Sequence, residues 1–257
     1  MQVSELFDIK GKTAIITGGS KGLGAQCADA LAEMGCNVVI AARKIEGCQA
    51  ICAELEKKYN IQALPVACDV AKIEDGANLV DAAIKRFGKI DILINNAGTA
   101  WGSDPMDHDL KGWQKVIDLN LTGTFFLTGK VAKTMKENGN GGKIIMMSSL
   151  AGLVASRRQS TPAYTATKAA LIMLTRDLAY KWAPYGIYVN CMTPGYFPTD
   201  FSGRALDEKE EKAAKNLIPL KRFGGDDDLK GAVAFFCSKA SDYVIGQYLV
   251  FDGGATL

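Results

Sequence analysis

The sequence predicts an α/β fold in which a parallel sheet is wrapped by helices, and three observations predict it. Apolar runs of strand length alternate along the chain with longer stretches of helical periodicity. The short runs are mostly rich in branched residues, as strands of a buried parallel sheet are. A chain of 257 residues, 48% hydrophobic and 23% charged, is also within the size that one large α/β sheet fills, so residues 1–257 are expected to form a single domain.

Seven runs read as strands: Lys12–Thr17, Asn37–Ala42, Ala63–Cys68, Ile90–Asn95, Gly142–Ser148, Ile187–Met192 and Tyr248–Asp252. Between them, Gly22–Met34, Ile45–Tyr59, Ile73–Phe87, Gly112–Glu137, Ala163–Ala183 and Asp226–Ser238 carry apolar residues at three- and four-residue spacing, as helices packed on one face do. No internal repeat is present. Thr193–Gly225 contains neither a clear strand nor an apolar-striped helix, and its Asp207–Lys215 part is too polar to be core. A substrate-loop insertion at about residues 193–225 is therefore expected, serving either as a mobile lid or as a solvated flap.

Thirty Lys and Arg against 28 Asp and Glu leave a net charge of +2, so no chain-wide basic field is available for nucleic acid or an anionic membrane. Any bound anion is expected to be held locally. The N-terminal residues lack a basic start followed by a long apolar run, and the longest apolar stretch, Lys143 to Ala155, is interrupted by Ser148 and Ser149 and too short to span a bilayer. The seven cysteines have no framework of spacings, so reduced core thiols in a cytoplasmic protein are expected. His108 is the single histidine, which leaves Cys48 and Cys52 without partners for a Cys/His zinc site, and no metal is expected.

The first strand runs directly into Thr17-Gly18-Gly19-Ser20-Lys21-Gly22-Leu23-Gly24 and then a helical stretch. Glycines at a strand-to-helix turn let a dinucleotide pyrophosphate approach the helix N-terminus, so Gly18, Ser20, Lys21, Gly22, Leu23 and Gly24 are candidate cofactor contacts. The Gly-x3-Gly-x-Gly spacing differs from the common Gly-x-Gly-x2-Gly fingerprint. An acidic residue closing the second strand would select NAD(H); here that place reads Ala41-Ala42-Arg43. The planar fork of Arg43, with Lys21 as a second cation, suits a 2′-phosphate, and NADP(H) is expected over NAD(H). Asp69 and Val70, after the third strand, are placed to cap the adenine, although an Asp there also suits a helix N-cap.

Tyr164 and Lys168 stand one helical turn apart, on one face. An ammonium beside a phenol favours phenolate, which would let Tyr164 act as a general acid or base near neutral pH. Ser149 follows the fifth strand, where its hydroxyl can donate to a substrate carbonyl oxygen. Asn120 lies within the long helical stretch before that strand, where a solvent-facing polar group would be unremarked.

Taken in order, Gly18-x3-Gly22-x-Gly24, Asn95-Asn96-Ala97-Gly98, Asn120, Ser149, Tyr164-x3-Lys168 and Pro194-Gly195-x3-Thr199 resemble the motifs of the short-chain dehydrogenases/reductases over essentially the whole chain. The resemblance implies a three-layer doubly wound Rossmann fold with a seven-stranded parallel sheet. It implies a catalytic tetrad of Asn120, Ser149, Tyr164 and Lys168, with Ser149 holding the carbonyl, Tyr164 supplying the proton, and Asn120 holding a water that links Lys168 to solvent. Lys168 would also bind the nicotinamide ribose; Asn96 and Gly98 would line the adenosine-ribose side; Pro194, Gly195, Phe197 and Thr199 would meet the nicotinamide end. A homotetramer assembled through the stretches Gly112–Glu137 and Ala163–Ala183 is implied on the same ground.

Asn95–Gly102, Ala179–Ile187 and Pro194–Thr199 resemble the branch that holds gluconate 5-dehydrogenases and some 3-oxoacyl carrier-protein reductases. Fourteen residues separate Ser149 from Tyr164, and among them Arg157-Arg158-Gln159 either pairs with a substrate carboxylate or phosphorylated carrier, or forms a solvated loop. Trp101 and Trp113 either wall the pocket or pack under the helix. The expected function is NADP(H)-dependent interconversion of a ketone and a secondary alcohol, on a keto-sugar, sugar acid or 3-oxoacyl thioester. Reduction of a bulky hydrophobic ketone such as a steroid, and a non-catalytic NADP(H) sensor on the same fold, are the alternatives.

Overall fold

The computed structural model describes residues 1–155, 160–198 and 207–257. Seven parallel strands make one sheet: β1 (Thr13–Thr17), β2 (Asn37–Ala42), β3 (Ala63–Ala67), β4 (Ile92–Asn95), β5 (Gly142–Met147), β6 (Ile187–Pro194) and β7 (Tyr248–Phe251), in the order β3-β2-β1-β4-β5-β6-β7. The chain winds outward from β1 to β3, crosses back to β4, and winds outward again. The switch between β1 and β4 opens a crevice at the C-terminal edge of the sheet, where such folds bind ligands.

Helices cover both faces, giving the three layers of the expected fold. After the short α1 (Val3–Leu6), α2 (Gly22–Glu33), α3 (Ile45–Tyr59) and, late in the chain, α9 (Lys230–Cys237) bury Cys27, Leu31, Cys48, Leu55, Val233 and Phe236 with Ile16, Val38 and Ile40 of the sheet. On the opposite face α4 (Ile73–Phe87), α6 (Thr124–Glu137) and α7 (Pro162–Trp182) bury Leu79, Val80, Leu127, Val131, Leu171 and Leu178 with Ile15, Val39 and Leu93. Alternate residues of each strand thus face opposite cores. All seven cysteines are buried and unbridged. Among the described residues, no helix is long and apolar enough to cross a membrane, and no group of His, Cys, Asp or Glu is arranged to hold a metal ion.

The strands and most helices fall where the periodicity places them, with ends shifted by a few residues. The stretch expected as Gly112–Glu137 is instead a composite: α5 (Leu110–Ile117), a π-helical turn at Asp118–Gly123, and α6. It begins earlier because Asp109 caps it, its side chain accepting from the Gly112 N–H at 2.6 Å. The region at 193–225 is not wholly irregular. Asp207 and Glu210 form a reciprocal capping box that starts α8 (Glu208–Asn216), a polar helix that buries Ala214. The helix expected at Asp226–Ser238 begins at Lys230, since residues 226–229 form a turn.

The π-helical turn inserts one extra residue into the helix and brings its end close to the β3–α4 connection. A Cβ on Gly123 would overlap the carbonyl oxygen of Val70, so only glycine fits this contact. Gly123→Ala is expected to lower stability by about 1–3 kcal/mol, as overpacking against rigid backbone does. Urea unfolding monitored by circular dichroism checks this, and a wild-type midpoint would refute the close approach.

Candidate active site

The first part of the site is the turn between β1 and α2. Gly18 and Gly19 donate from their backbone N–H groups to the Ala41 carbonyl at 2.7 and 3.3 Å, which ties the turn to the end of β2. The Asn96 side-chain amide donates to the carbonyls of Thr17 (3.0 Å) and Gly18 (3.2 Å), while the Thr17 hydroxyl accepts from the backbone N–H groups of Asn96 and Ala97, both at 3.0 Å. This lattice leaves no room for side chains. Gly18 has φ +63°, its Cβ would stand 2.9 Å from the Asn96 amide nitrogen, and a Cβ on Gly24 would overlap the Gly18 carbonyl.

The turn fits a dinucleotide phosphate. α2 opens at Gly22 without a side-chain cap and without an acidic residue in its first turn, so neither its capping residue nor its own first turn sets a carboxylate against its leading N–H groups. Ser20 packs against the start of α3, where a Cβ on Gly47 would stand 3.3 Å from its own Cβ. Leu23 is partly buried against the core of that face. Lys21 and Arg43 are both exposed and follow the ends of neighbouring strands, paired in register as Thr17 with Ala41. Arg43 stands directly after β2, where an NAD-selecting acid would stand.

Asp69 does not cap a helix. Its carboxylate accepts from the Ala71 N–H at 3.2 Å and its own N–H donates to the Asp75 carboxylate, so it shapes the turn ahead of α4, whose capping position is Lys72. The Val70 side chain is buried in the core. Beyond β6, Gly195 donates to the Phe251 carbonyl at 2.8 Å and Gly224 to that of Tyr196 at 2.9 Å, while Phe197 packs partly on the core. Pro194 ends β6 beside these residues; Thr199, Arg157, Arg158 and Gln159 lie outside the described residues.

The second part of the site lies beyond β5. Ser149 accepts from the Ala151 N–H at 3.2 Å, capping a short 3-10 turn, and is hydrogen-bonded to the Tyr164 phenol. Tyr164 sits in the first turn of α7, which Pro162 starts. Four residues on, Lys168 is buried, with its ammonium 5.5 Å from the centre of the Tyr164 ring and donating to the Met147 carbonyl at 2.7 Å. From β5, the Ser148 hydroxyl donates to the Lys168 carbonyl at 2.7 Å.

Asn120 is not a solvent-facing helix residue: it is 1% exposed, inside the π-helical turn. Its side chain accepts from the Thr99 N–H at 2.8 Å and donates to the Thr99 carbonyl at 2.9 Å and the Thr167 hydroxyl at 3.1 Å. A Cβ on Gly98 would stand 3.6 Å from both the Asn120 side-chain oxygen and the Lys168 amine, so the loop after β4 touches both. The structure brings Asn120, Ser149, Tyr164 and Lys168 together near the ends of β4 and β5. π-Helical turns of this kind recur at functional sites.

Electrostatically, the site differs from the expectation drawn from an ammonium beside a phenol. Burial pushes the Tyr164 phenol up and outweighs the opposing hydrogen bond from Ser149, so the proton is held in the resting protein. Burial pulls Lys168 down to about 8. Asn96, expected to line a ribose, commits its amide to the glycine turn. Trp101 packs on the helix, donating from its indole N–H to Asp109 at 3.0 Å under the Lys115 ammonium, and Trp113 meets His108 edge to face. Thr17, Thr99, Ser148 and Thr167 also build the site; in the sequence they are short hydroxyl residues whose one distinction is adjacency to a motif.

A family model described as enoyl-(acyl carrier protein) reductase matches residues 18–256. A short-chain type dehydrogenase/reductase from Mycobacterium marinum superposes with a TM-score of 0.93 at 35% identity, covering 99% of each chain. This chain belongs to the short-chain dehydrogenase/reductase family. It is 38% identical to the 2-dehydro-3-deoxy-D-gluconate 5-dehydrogenase of Dickeya dadantii, over 96% of each chain. It is also similar to a gluconate 5-dehydrogenase from Burkholderia cenocepacia solved in complex with NADP and tartrate, with TM-score 0.92, 35% identity and 99% of each chain covered. As a member of this family of dehydrogenases and reductases the protein is an oxidoreductase.

Because the folded value of Lys168 lies below the unfolded one, its protonated form opposes folding at neutral pH, and stability rises as pH climbs from about 8 towards the ordinary lysine value of about 10.4. An NMR titration of the lysine side chains, assigned with Lys168→Met, is expected to show Lys168 losing its proton near pH 8 in the cofactor-free protein. Titration together with the surface lysines would contradict the burial argument.

Proposed function

We propose that this short-chain dehydrogenase/reductase interconverts a ketone and a secondary alcohol with NADP(H), and that its substrate is a keto-sugar or sugar acid. The observation that carries the reading is the Ser149–Tyr164 hydrogen bond beside buried Lys168, at the strand ends that also carry the glycine turn. The names of the similar sugar-acid dehydrogenases support the substrate class, and the NADP bound to one of them supports the cofactor. A 3-oxoacyl thioester is the second reading, favoured by the acyl carrier protein in the family description.

In this reading the leading backbone N–H groups of α2, from Gly22 to Gly24, hold the pyrophosphate, Lys21 and Arg43 hold the 2′-phosphate, and the Gly98 backbone and the Pro194–Phe197 segment border the remainder. When bound, NADPH supplies the hydride that reduces the ketone carbon, and NADP⁺ accepts it in the reverse direction. Ser149 donates a hydrogen bond to the carbonyl oxygen, polarising it, and the Tyr164 phenol delivers its proton to the same oxygen. The raised pKa of Tyr164 suits it to begin reduction as the acid. Lys168 has N–H groups beyond the one on Met147 for the ribose, and its charge offsets the phenolate left behind. Asn120 holds the loop after β4 against α7 around that ammonium.

Residues 1–257 are read as one domain, and the chain as a cytoplasmic homotetramer. Exposed Phe125 and Phe126 on α6, with Met173 and Tyr180 on α7, support assembly through those helices. Light scattering and cell fractionation check this; a monomer or a membrane-pelleted protein would contradict it.

The deciding assay measures initial rates with NADPH and NADH across a 5-keto sugar acid, ketoses, a 3-oxoacyl thioester and a bulky hydrophobic ketone. Turnover of the sugar acid with NADPH is expected. Silence across the panel with tight NADPH binding would favour the sensor alternative. In the same assay Tyr164→Phe is expected to abolish turnover while NADPH binding stays near wild type, and full activity would defeat the tetrad. Arg43→Ala is expected to weaken NADPH far more than NADH; equal losses would defeat the 2′-phosphate pocket.

A further inference from the structure

We propose that Thr167 is a positioning residue for the reaction, acting through Asn120 and Tyr164; the proposal rests on the reductase reading above. Thr167 is 1% exposed and lies on α7 between Tyr164 and Lys168. Its hydroxyl donates to the Tyr164 carbonyl at 2.8 Å and accepts from the Asn120 amide at 3.1 Å. A hydroxyl has one proton, so the direction of the chain is set: Asn120 N–H to Thr167 oxygen, then Thr167 O–H to the Tyr164 carbonyl.

This chain determines how Asn120 sits. Flipping the Asn120 amide would turn its donor group towards the Thr99 N–H and its oxygen towards the Thr99 carbonyl, so Thr99 selects one orientation. In that orientation the second amide proton points at Thr167, which accepts it in a place closed to solvent. Without the hydroxyl that proton is buried and unmatched, and the π-helical turn loses its side-chain link to α7.

The turn of α7 that carries Tyr164 and Lys168 is therefore held from two sides. From β5, Ser148 grips the Lys168 carbonyl; from the helix before β5, Asn120 grips α7 through Thr167. Ser149 follows Ser148 directly, so these contacts set where the serine hydroxyl, the phenol and the ammonium stand relative to each other. Small displacements of such groups cost large factors in rate while leaving cofactor affinity nearly untouched. Valine keeps the branched shape of threonine and lacks the hydroxyl, so Thr167→Val removes both hydrogen bonds while leaving the branched side chain in place.

The experiment compares Thr167→Val, Thr167→Ala and Thr167→Ser in wild-type and Asn120→Ala backgrounds, using the best substrate of the panel. Thr167→Val and Thr167→Ala are expected to lower kcat about 10-fold or more, with KM for ketone and NADPH within about twofold and the alkaline limb of the kcat–pH profile displaced. Thr167→Ser is expected to restore wild-type kcat. In the Asn120→Ala background Thr167→Val is expected to cause little further loss, since the acceptor then serves no donor. Wild-type kcat in the valine variant, an equal loss in the serine variant, or additive losses in the double variant would each overturn the proposal. NADPH fluorescence and near-UV circular dichroism establish that each variant is folded and binds; full activity of Tyr164→Phe would instead refute the reductase reading itself.

Discussion

The site depends on how closely the ends of β1 and β4 are bound at the switch point of the sheet. Parallel strands end with exposed backbone groups, and here the loop leaving β4 turns back over the loop leaving β1. Thr17 accepts from two N–H groups of the β4 loop, and Asn96 returns its amide to two carbonyls of the β1 loop. Four hydrogen bonds across so short a span exclude Cβ atoms, and that accounts for Gly18 and Gly24. The result is a turn held open in front of an uncapped helix end, the feature a pyrophosphate needs.

A second constraint follows from the π-helical turn. An extra residue in a helix leaves backbone groups out of register, and this one is accommodated where Gly123 meets Val70 and where Asn120 reaches the Thr99 backbone. Through Asn120 the β4 loop, the long helix and α7 become one hydrogen-bonded body. Its charged member, Lys168, is buried against the Met147 carbonyl, and burial pulls it down to about 8. Burial, more than the ammonium, governs Tyr164 in the resting protein. The phosphate and hydroxyl ends of the crevice are therefore built by the same device, a short polar side chain satisfying loop backbone.

Much of this was legible in the sequence because the evidence is local and periodic. Branched strand runs and three-to-four spacing located seven strands and six helices, since burying one face of each element imposes those patterns. The motif glycines, Ser149, Tyr164 and Lys168 stood out because they sit at strand-to-helix junctions or at one-turn spacing. The sequence does not announce α8, because a helix with so polar a surface has no apolar stripe.

Only the tertiary structure decided the rest, because the remaining contacts join residues far apart in the chain. Asn120 reads as one more polar residue on a helix until the π-helical turn rotates it inward and Thr99 and Thr167 receive it. Asn96, Ser148 and Thr17 likewise act on backbone groups of other segments, and no spacing rule in a single chain records such partners. The direction of the Tyr164 shift depends on how much protein surrounds the phenol, which is a three-dimensional quantity. The sequence by itself determined which elements form and which chemistry they can carry; the packing of those elements decided which polar groups are satisfied, which are buried and how the reacting groups are held.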